Sequence, residues 1–192
     1  PPKNYWKKIG RICKKYNIHL ILDEVWCGTG VTGKSFCIDW DGITPDFVFI
    51  SKTLAAGYGA LSAVITKNSI INQIHSKMGQ IHYSNTHQGH SLSVAAALEV
   101  QKIIQDKKFL KKINDKGIYF RNIINNELKD NPFFLNVRGR GLRNSLEYNT
   151  TDNNLFGTLI KQEMFKQNVI IDAKWHRICF CFSIKISYKQ IE

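Results

Sequence analysis

Residues 19–33 read His19-Leu-Ile-Leu-Asp-Glu-Val-Trp-Cys-Gly-Thr-Gly-Val-Thr-Gly33, an apolar run that ends on two carboxylates and passes straight into three glycines. Such a run predicts a buried strand over His19–Val25, followed by a turn-rich loop at Gly28, Gly30 and Gly33. Just upstream, Tyr5, Ile9, Ile12, Cys13 and Tyr16 recur at spacings of three and four with lysines between them, an amphipathic helix over Asn4–Tyr16 that Asn17 ends. Helix, strand and loop in succession point to an α/β fold. Downstream, Asp46-Phe-Val-Phe-Ile50 reads as a second strand after the Thr44-Pro45 turn and stops at Ser51-Lys52. Ala55–Gly59 is too glycine-rich for a regular element, and Leu61–Thr66 predicts a third short strand.

The pattern then changes. Ser91–Ile104 (SLSVAAALEVQKII) is rich in helix formers and has a small-residue face, which predicts a long, mostly buried helix. Charged helices are expected between Lys107 and Lys129, then a turn at Pro132, a strand near Phe134–Val137 and a corner at Gly139-Arg-Gly141. The remainder predicts a smaller α+β unit: strands at Leu146–Tyr148, Val169–Ile171 and Ile178–Ile186, and a helix over Leu155–Gln167. The expected organisation is thus part of a large α/β domain, residues 1–105, with a mostly parallel sheet, and a small carboxyl-terminal domain, residues 106–192. Neither an internal repeat nor a low-complexity linker interrupts it.

With 192 residues, 43% of them apolar and 11% aromatic, the chain can bury a core, which excludes collagen-like and wholly disordered classes. Its cysteines, Cys13, Cys27, Cys37, Cys179 and Cys181, are odd in number and contain no C-x-x-C pair. That argues against a disulfide scaffold and for a reduced, cytoplasmic chain. No window of about 18 uncharged apolar residues offers a membrane span. The formal net charge of +12 raises nucleic acid or an anionic membrane as a partner, but the lysines come in pairs on helical periodicities and read as solvated faces. Neither partner is expected. The chain opens on Pro1-Pro2-Lys3 without an initiator methionine, which suggests a piece of something longer.

In parallel α/β sheets ligands sit beyond the carboxyl ends of the strands, so Asp23 and Lys52, each at such an end, are the first candidates for chemistry. An ionised carboxylate on an apolar strand is costly unless a cation or hydrogen-bond donors meet it. Taken by themselves, the two residues also read as a structural ion pair or as strand-end charges in solvent. His82, His87 and His90 are joined by no carboxylate or cysteine at ligand spacing, so no metal is expected.

Four stretches, LILDEVWCGTGVTG (20–33), TPDFVFISKTLAAGYGALSAVIT (44–66), SNTHQGHSLSVAAALEV (84–100) and VRGRGL (137–142), occur in an order and at spacings that resemble class III aminotransferases. These are pyridoxal-phosphate (PLP) enzymes of fold type I, and the likeness, closest to the omega-amino-acid type, covers nearly the whole chain. It implies that Lys52 forms the Schiff base with PLP and carries a proton to and from the substrate α-carbon. It further implies that Asp23 pairs with the pyridinium nitrogen, that Val25 packs on the ring face, and that Thr86 reaches the PLP phosphate of a neighbouring subunit. A homodimer follows from the last role. The implied substrates are an amino donor and a keto acid such as pyruvate.

The chain departs from the family pattern at several places. Trp26 stands where many members have glutamine, the glycine loop lacks its arginine, and Phe182-Ser183 replace paired prolines. The loop at Asp172–Arg177 is short, and Arg143 and Asn144 fall where a buried strand has apolar residues. Full-length members also carry an amino-terminal half with a glycine/serine turn for the phosphate and an aromatic residue over the ring, so the resemblance implies a carboxyl-terminal half. Within the same fold an aminomutase or a decarboxylase would use Asp23 and Lys52 equally. Outside it, the alternative is a non-catalytic remnant with a basic surface.

Overall fold

In the computed structural model, which describes residues 1–150 and 153–192, the first helix, α1, spans Tyr5–Lys15 and is closed by Tyr16 N–H donating to Ile12 O at 3.0 Å. Asn17 then takes a left-handed φ of 53°, a conformation asparagine tolerates better than most residues. The chain forms two compact units, one of residues 1–30 and 34–107, the other of residues 31–33 and 108–192.

In the first unit, β1 (Ile21–Asp23), β2 (Phe47–Ile50) and β3 (Ala63–Thr66) form a sheet in the order β1-β2-β3. β1 and β2 are parallel, joined by a crossover containing a 3₁₀ turn at Cys37–Trp40, whereas β3 is antiparallel to β2. β1 is shorter than the sequence predicts, for a local reason. At its start Leu20 N–H donates to the Asp46 side chain (2.8 Å), and at its end Val25 N–H turns back to Asp23 Oδ1 (3.0 Å). Asp46 also receives Lys67 Nζ at 2.6 Å, and this ammonium holds its carboxyl below the usual range. Pleating sends the buried Leu22, Val48 and Ile50 to one face, where Val48 and Ile50 pack with Leu54, Ala55 and Ala97. Ile21, Phe49 and Val64 occupy the opposite, exposed face.

A helix that the sequence reading does not assign, α2, spans Asn68–Met78 and ends at Gly79, with φ 75°. Only Ile70, Ile71 and Ile74 are half-buried in it, among Asn, Ser, Gln and His, so its periodic signal is weak. α3 spans Ser91–Ile104, as expected. It is not mostly buried: Ser93, Ala97, Val100 and Ile104 form one buried stripe while Leu92, Leu98 and Ile103 are exposed. The His90 ring caps it, Nδ1 accepting from Ser93 N–H at 3.4 Å. Gln101 Nε2 donates to Leu54 O at 2.9 Å and ties α3 to the segment after β2.

In the second unit a single 22-residue helix, α4 (Lys107–Leu128), replaces the several charged helices expected. β4 (Phe134–Arg140), β5 (Arg143–Tyr148), β6 (Asp172–Lys174) and β7 (Arg177–Cys181) form an antiparallel sheet in the order β4-β5-β7-β6, accompanied by α5 (Asn153–Lys166) and α6 (Tyr188–Ile191). The strand predicted at Val169–Ile171 lies three residues later, because Val169 N–H is still closing α5 on Met164 O (2.9 Å) beside a left-handed Asn168. The strand predicted to reach Ile186 stops at Cys181, and Ile186 N–H closes a turn on Ser183 O at 3.0 Å. Leu146, Tyr148, Ala173 and Ile178 form the core of this unit, with Phe156 and Phe180 against them. Asn144 is buried in β5 yet satisfied: Arg121 Nη1 donates to its Oδ1 at 2.8 Å, and its Nδ2 donates to Gly141 O at 3.0 Å.

At Gly117 the backbone of α4 meets the Gly139–Gly141 corner, and a Cβ there would stand 1.9 Å from Gly141 O. Gly117→Ala is expected to destabilise the fold by about 2 kcal/mol or more, read as a lower urea midpoint. An unchanged midpoint would show that the corner moves aside freely. Among the described residues no helix is long and apolar enough to cross a membrane, and no group of histidine, cysteine or carboxylate side chains is placed to hold a metal.

Candidate active site

Asp23 is the last residue of β1, and Lys52 follows β2 by two residues. The parallel register sets Asp23 level with Phe49, three residues before Lys52, so the carboxylate and the amine leave neighbouring strands at the same edge. Neighbouring strands lie about 4.8 Å apart. Asp23 shares the exposed sheet face with Phe49 and Val64, and its Oδ1 accepts Val25 N–H, a local bond that fixes the carboxylate at the strand exit.

Lys52 has a left-handed φ of 45° and opens a 3₁₀ turn, Lys52–Leu54, with Leu54 N–H donating to Ser51 O at 2.9 Å. For a residue with a Cβ this conformation costs on the order of 1 kcal/mol, and such strain gathers at functional positions. Beside it, Ser51 Oγ donates to Leu61 O at 3.0 Å, pinning the strand end to the approach of β3. The lysine is thus held at an abrupt corner, with its side chain exposed.

Val25 is half-buried but lies beyond β1, in the turn made by the Asp23 hydrogen bond. Strand alternation therefore does not decide which way it faces. Thr86 stands in a loop where residues 79–92 are all exposed; Asn85 Oδ1 accepts His87 N–H at 3.1 Å, and Gln88 N–H donates to Asn85 O at 3.0 Å. The structure therefore sets Asp23 and Lys52 at adjacent strand ends and leaves Thr86 on open surface.

Sequence reasoning missed Glu24. Pleating turns it away from Asp23 into the protein, where it is 4% exposed and accepts Cys37 N–H (2.6 Å) and Ile38 N–H (2.8 Å). Gly28 makes room for it: a Cβ there would lie 2.8 Å from Glu24 O and 3.0 Å from Oε2. The available signal was the Asp-Glu doublet itself, since adjacent strand residues face opposite sides. Nearby, a hydrogen bond with the Cys37 thiol, together with burial and the negative charge of Glu24, raises the Cys27 thiol well above its ordinary range.

An amine and a carboxylate at one strand edge, with apolar surface beside them, suit a flat ring that carries an aldehyde and a basic nitrogen. The chemistry of this donor set fits the ring end of PLP.

The class III aminotransferase family model matches residues 1–179. A putrescine–pyruvate aminotransferase of Pseudomonas aeruginosa is 32% identical over 200 aligned residues, covering 100% of this chain and 43% of that protein. An ornithine aminotransferase of Plasmodium falciparum is 29% identical, covering 92% of this chain and 41% of its own length. The omega transaminase of Pseudomonas jessenii, solved in complex with PMP, superposes with a TM-score of 0.89 at 28% identity, covering 100% of this chain and 44% of that one. The chain spans less than half the length of these relatives. The family match runs through both units and includes the strand ends that bear Asp23 and Lys52, and the chain belongs to the class III aminotransferases.

Proposed function

We propose that this chain provides the PLP-binding strand ends and the small domain of a transaminase that moves an amino group from an amino acid or amine to a keto acid. The observation that carries this reading is the pairing of Asp23 and Lys52 at adjacent parallel strand ends, with Lys52 held in a left-handed corner. Residues 1–105 form the PLP-binding part and residues 106–192 the small domain.

PLP, when bound, supplies an electron sink for the charge left on the substrate carbon after its proton is removed. The chain's own residues do the rest. Asp23 holds a proton on the ring nitrogen, Val25 covers a ring face and excludes water, and the Lys52 amine binds the cofactor and carries the proton from the substrate carbon. Relatives named for putrescine and pyruvate, taurine and pyruvate, and ornithine support a donor with a terminal amine and an acceptor such as pyruvate. The reading includes a homodimer in the cytoplasm and needs neither nucleic acid nor a membrane. In the native protein supplied with PLP, ¹⁵N-labelled putrescine and pyruvate, the label is expected in alanine. Loss of carbon dioxide, or migration of the amino group within one molecule without a keto acid, would replace this reading with a decarboxylase or an aminomutase.

Thr86, on its exposed loop, donates to the phosphate bound by the partner subunit in this reading. In a mixed dimer with Lys52→Ala in one subunit and Thr86→Ala in the other, one site then keeps both residues and the other has neither. One normal site per dimer is expected. A dimer without any normal site would place Thr86 in its own subunit's site.

A further inference from the structure

The reaction proposed above uses none of the cysteines, yet two of them meet. Cys27 and Cys37 lie ten residues apart on the loop that leaves β1, and the neighbouring Cys37 thiol raises the Cys27 thiol above its ordinary range. Their backbones are held to one anchor. Cys37 N–H donates to Glu24 Oε2 at 2.6 Å, while Gly28, next to Cys27, packs against the same oxygen and donates its N–H to Glu24 O at 2.8 Å. Both cysteines are half-buried, so a small reagent can reach them. Cys13 lies on α1, and Cys179 and Cys181 stand two apart on β7, side by side on one face rather than opposed.

We infer that Cys27 and Cys37 are a reversible modification site, which a low-molecular-weight disulfide such as oxidised glutathione converts to an intrachain disulfide across the loop after Asp23. One thiol loses its proton to solvent and attacks a sulfur of the reagent, whose other half leaves as a thiolate and takes up a proton. The second cysteine, deprotonated in turn, attacks the mixed disulfide and displaces the remaining half. Two protein thiols and one reagent disulfide thus give one protein disulfide and two reagent thiols. The protein is oxidised by two electrons and the reagent reduced by two.

The carboxylate of Glu24 disfavours a thiolate beside it, so the first attack is the slow step. Once one cysteine is captured, its neighbour is already in place, at an effective concentration on the order of millimolar or above. The inference does not depend on the transaminase reading.

The test is to incubate the folded 192-residue chain with oxidised glutathione, block remaining thiols with iodoacetamide, digest, and map the products by mass spectrometry. The expected product joins the Cys27 and Cys37 peptides, is two hydrogens lighter than the reduced pair, and is reversed by dithiothreitol. The ratio of bridge to surviving mixed disulfide should be about tenfold higher, or more, in the folded chain than in the same chain unfolded in guanidinium. Cys37→Ser should leave Cys27 carrying glutathione instead. Should that variant not fold, the comparison of folded and unfolded wild type decides alone. Glutathione adducts that persist on both cysteines without a bridge, or an equal ratio of bridge to mixed disulfide in folded and unfolded chain, would overturn the inference.

Discussion

Lys52→Ala is expected to abolish covalent capture of PLP and to lower turnover by a factor on the order of 10⁴. Borohydride reduction of the native protein with PLP is expected to leave a pyridoxyl group on the Lys52 peptide and none in the variant. The substitution is a clean probe because alanine retains a Cβ. The left-handed backbone at residue 52 costs much the same in both proteins, and only the amine is lost. The sheet also separates this lysine from its neighbour in the fold. β3 runs opposite to β2, so Lys67, which follows it, emerges at the other end of the strands and is engaged by Asp46 at 2.6 Å. A reduced adduct on Lys67, or on any lysine other than Lys52, would refute the assignment.

For Asp23→Asn the expected loss in turnover is about a hundredfold or more, with a smaller change in cofactor affinity. Asparagine keeps an oxygen that can accept Val25 N–H, so the turn closing β1 survives and only the negative charge disappears. A ring nitrogen without that charge beside it gives up its proton more readily and withdraws electrons less well. The kinetic isotope effect at the substrate α-carbon should rise as proton removal becomes the slow step. Equal turnover in the variant and the parent would refute the role of Asp23.

The parts of this fold legible in the sequence are those where one local signal dominates. Ser91–Ile104 was readable because small residues and strong helix formers dominate fourteen consecutive positions, and Phe47–Ile50 because a Thr-Pro turn and a Ser-Lys stop bracket it. The strand-end position of Lys52 followed from the same brackets, and that of Asp23 from the apolar run that ends on it before the glycines. Where two signals competed, the reading failed. The apolar run at Val169–Ile171 suits a strand, but the end of α5 claims its first residue and shifts the strand to Asp172. α2 has too few apolar positions to announce itself. Glu24 was hidden for a different reason: whether a carboxylate at a strand end faces solvent or interior depends on pleat register, which the chain sets by pairing each residue of β1 with one 26 positions later in β2. The direction of β3 was equally unreadable, since a four-residue apolar strand has the same composition whichever way it runs.

That direction gives the sheet a mixed polarity, and so decides which pieces of chain can border the edge that bears Asp23 and Lys52. β1 and β2 leave the sheet there, while β3 enters, its first residue Ala63 paired with Ile50. The segment between Lys52 and Ala63 therefore starts and finishes at the same rim, a loop tethered at both ends with Ser51 and Leu61 as its clasp. Residues changed within it alter the border of this edge while Asp23, the last residue of β1, and Lys52, at the start of the 3₁₀ turn after β2, keep their places.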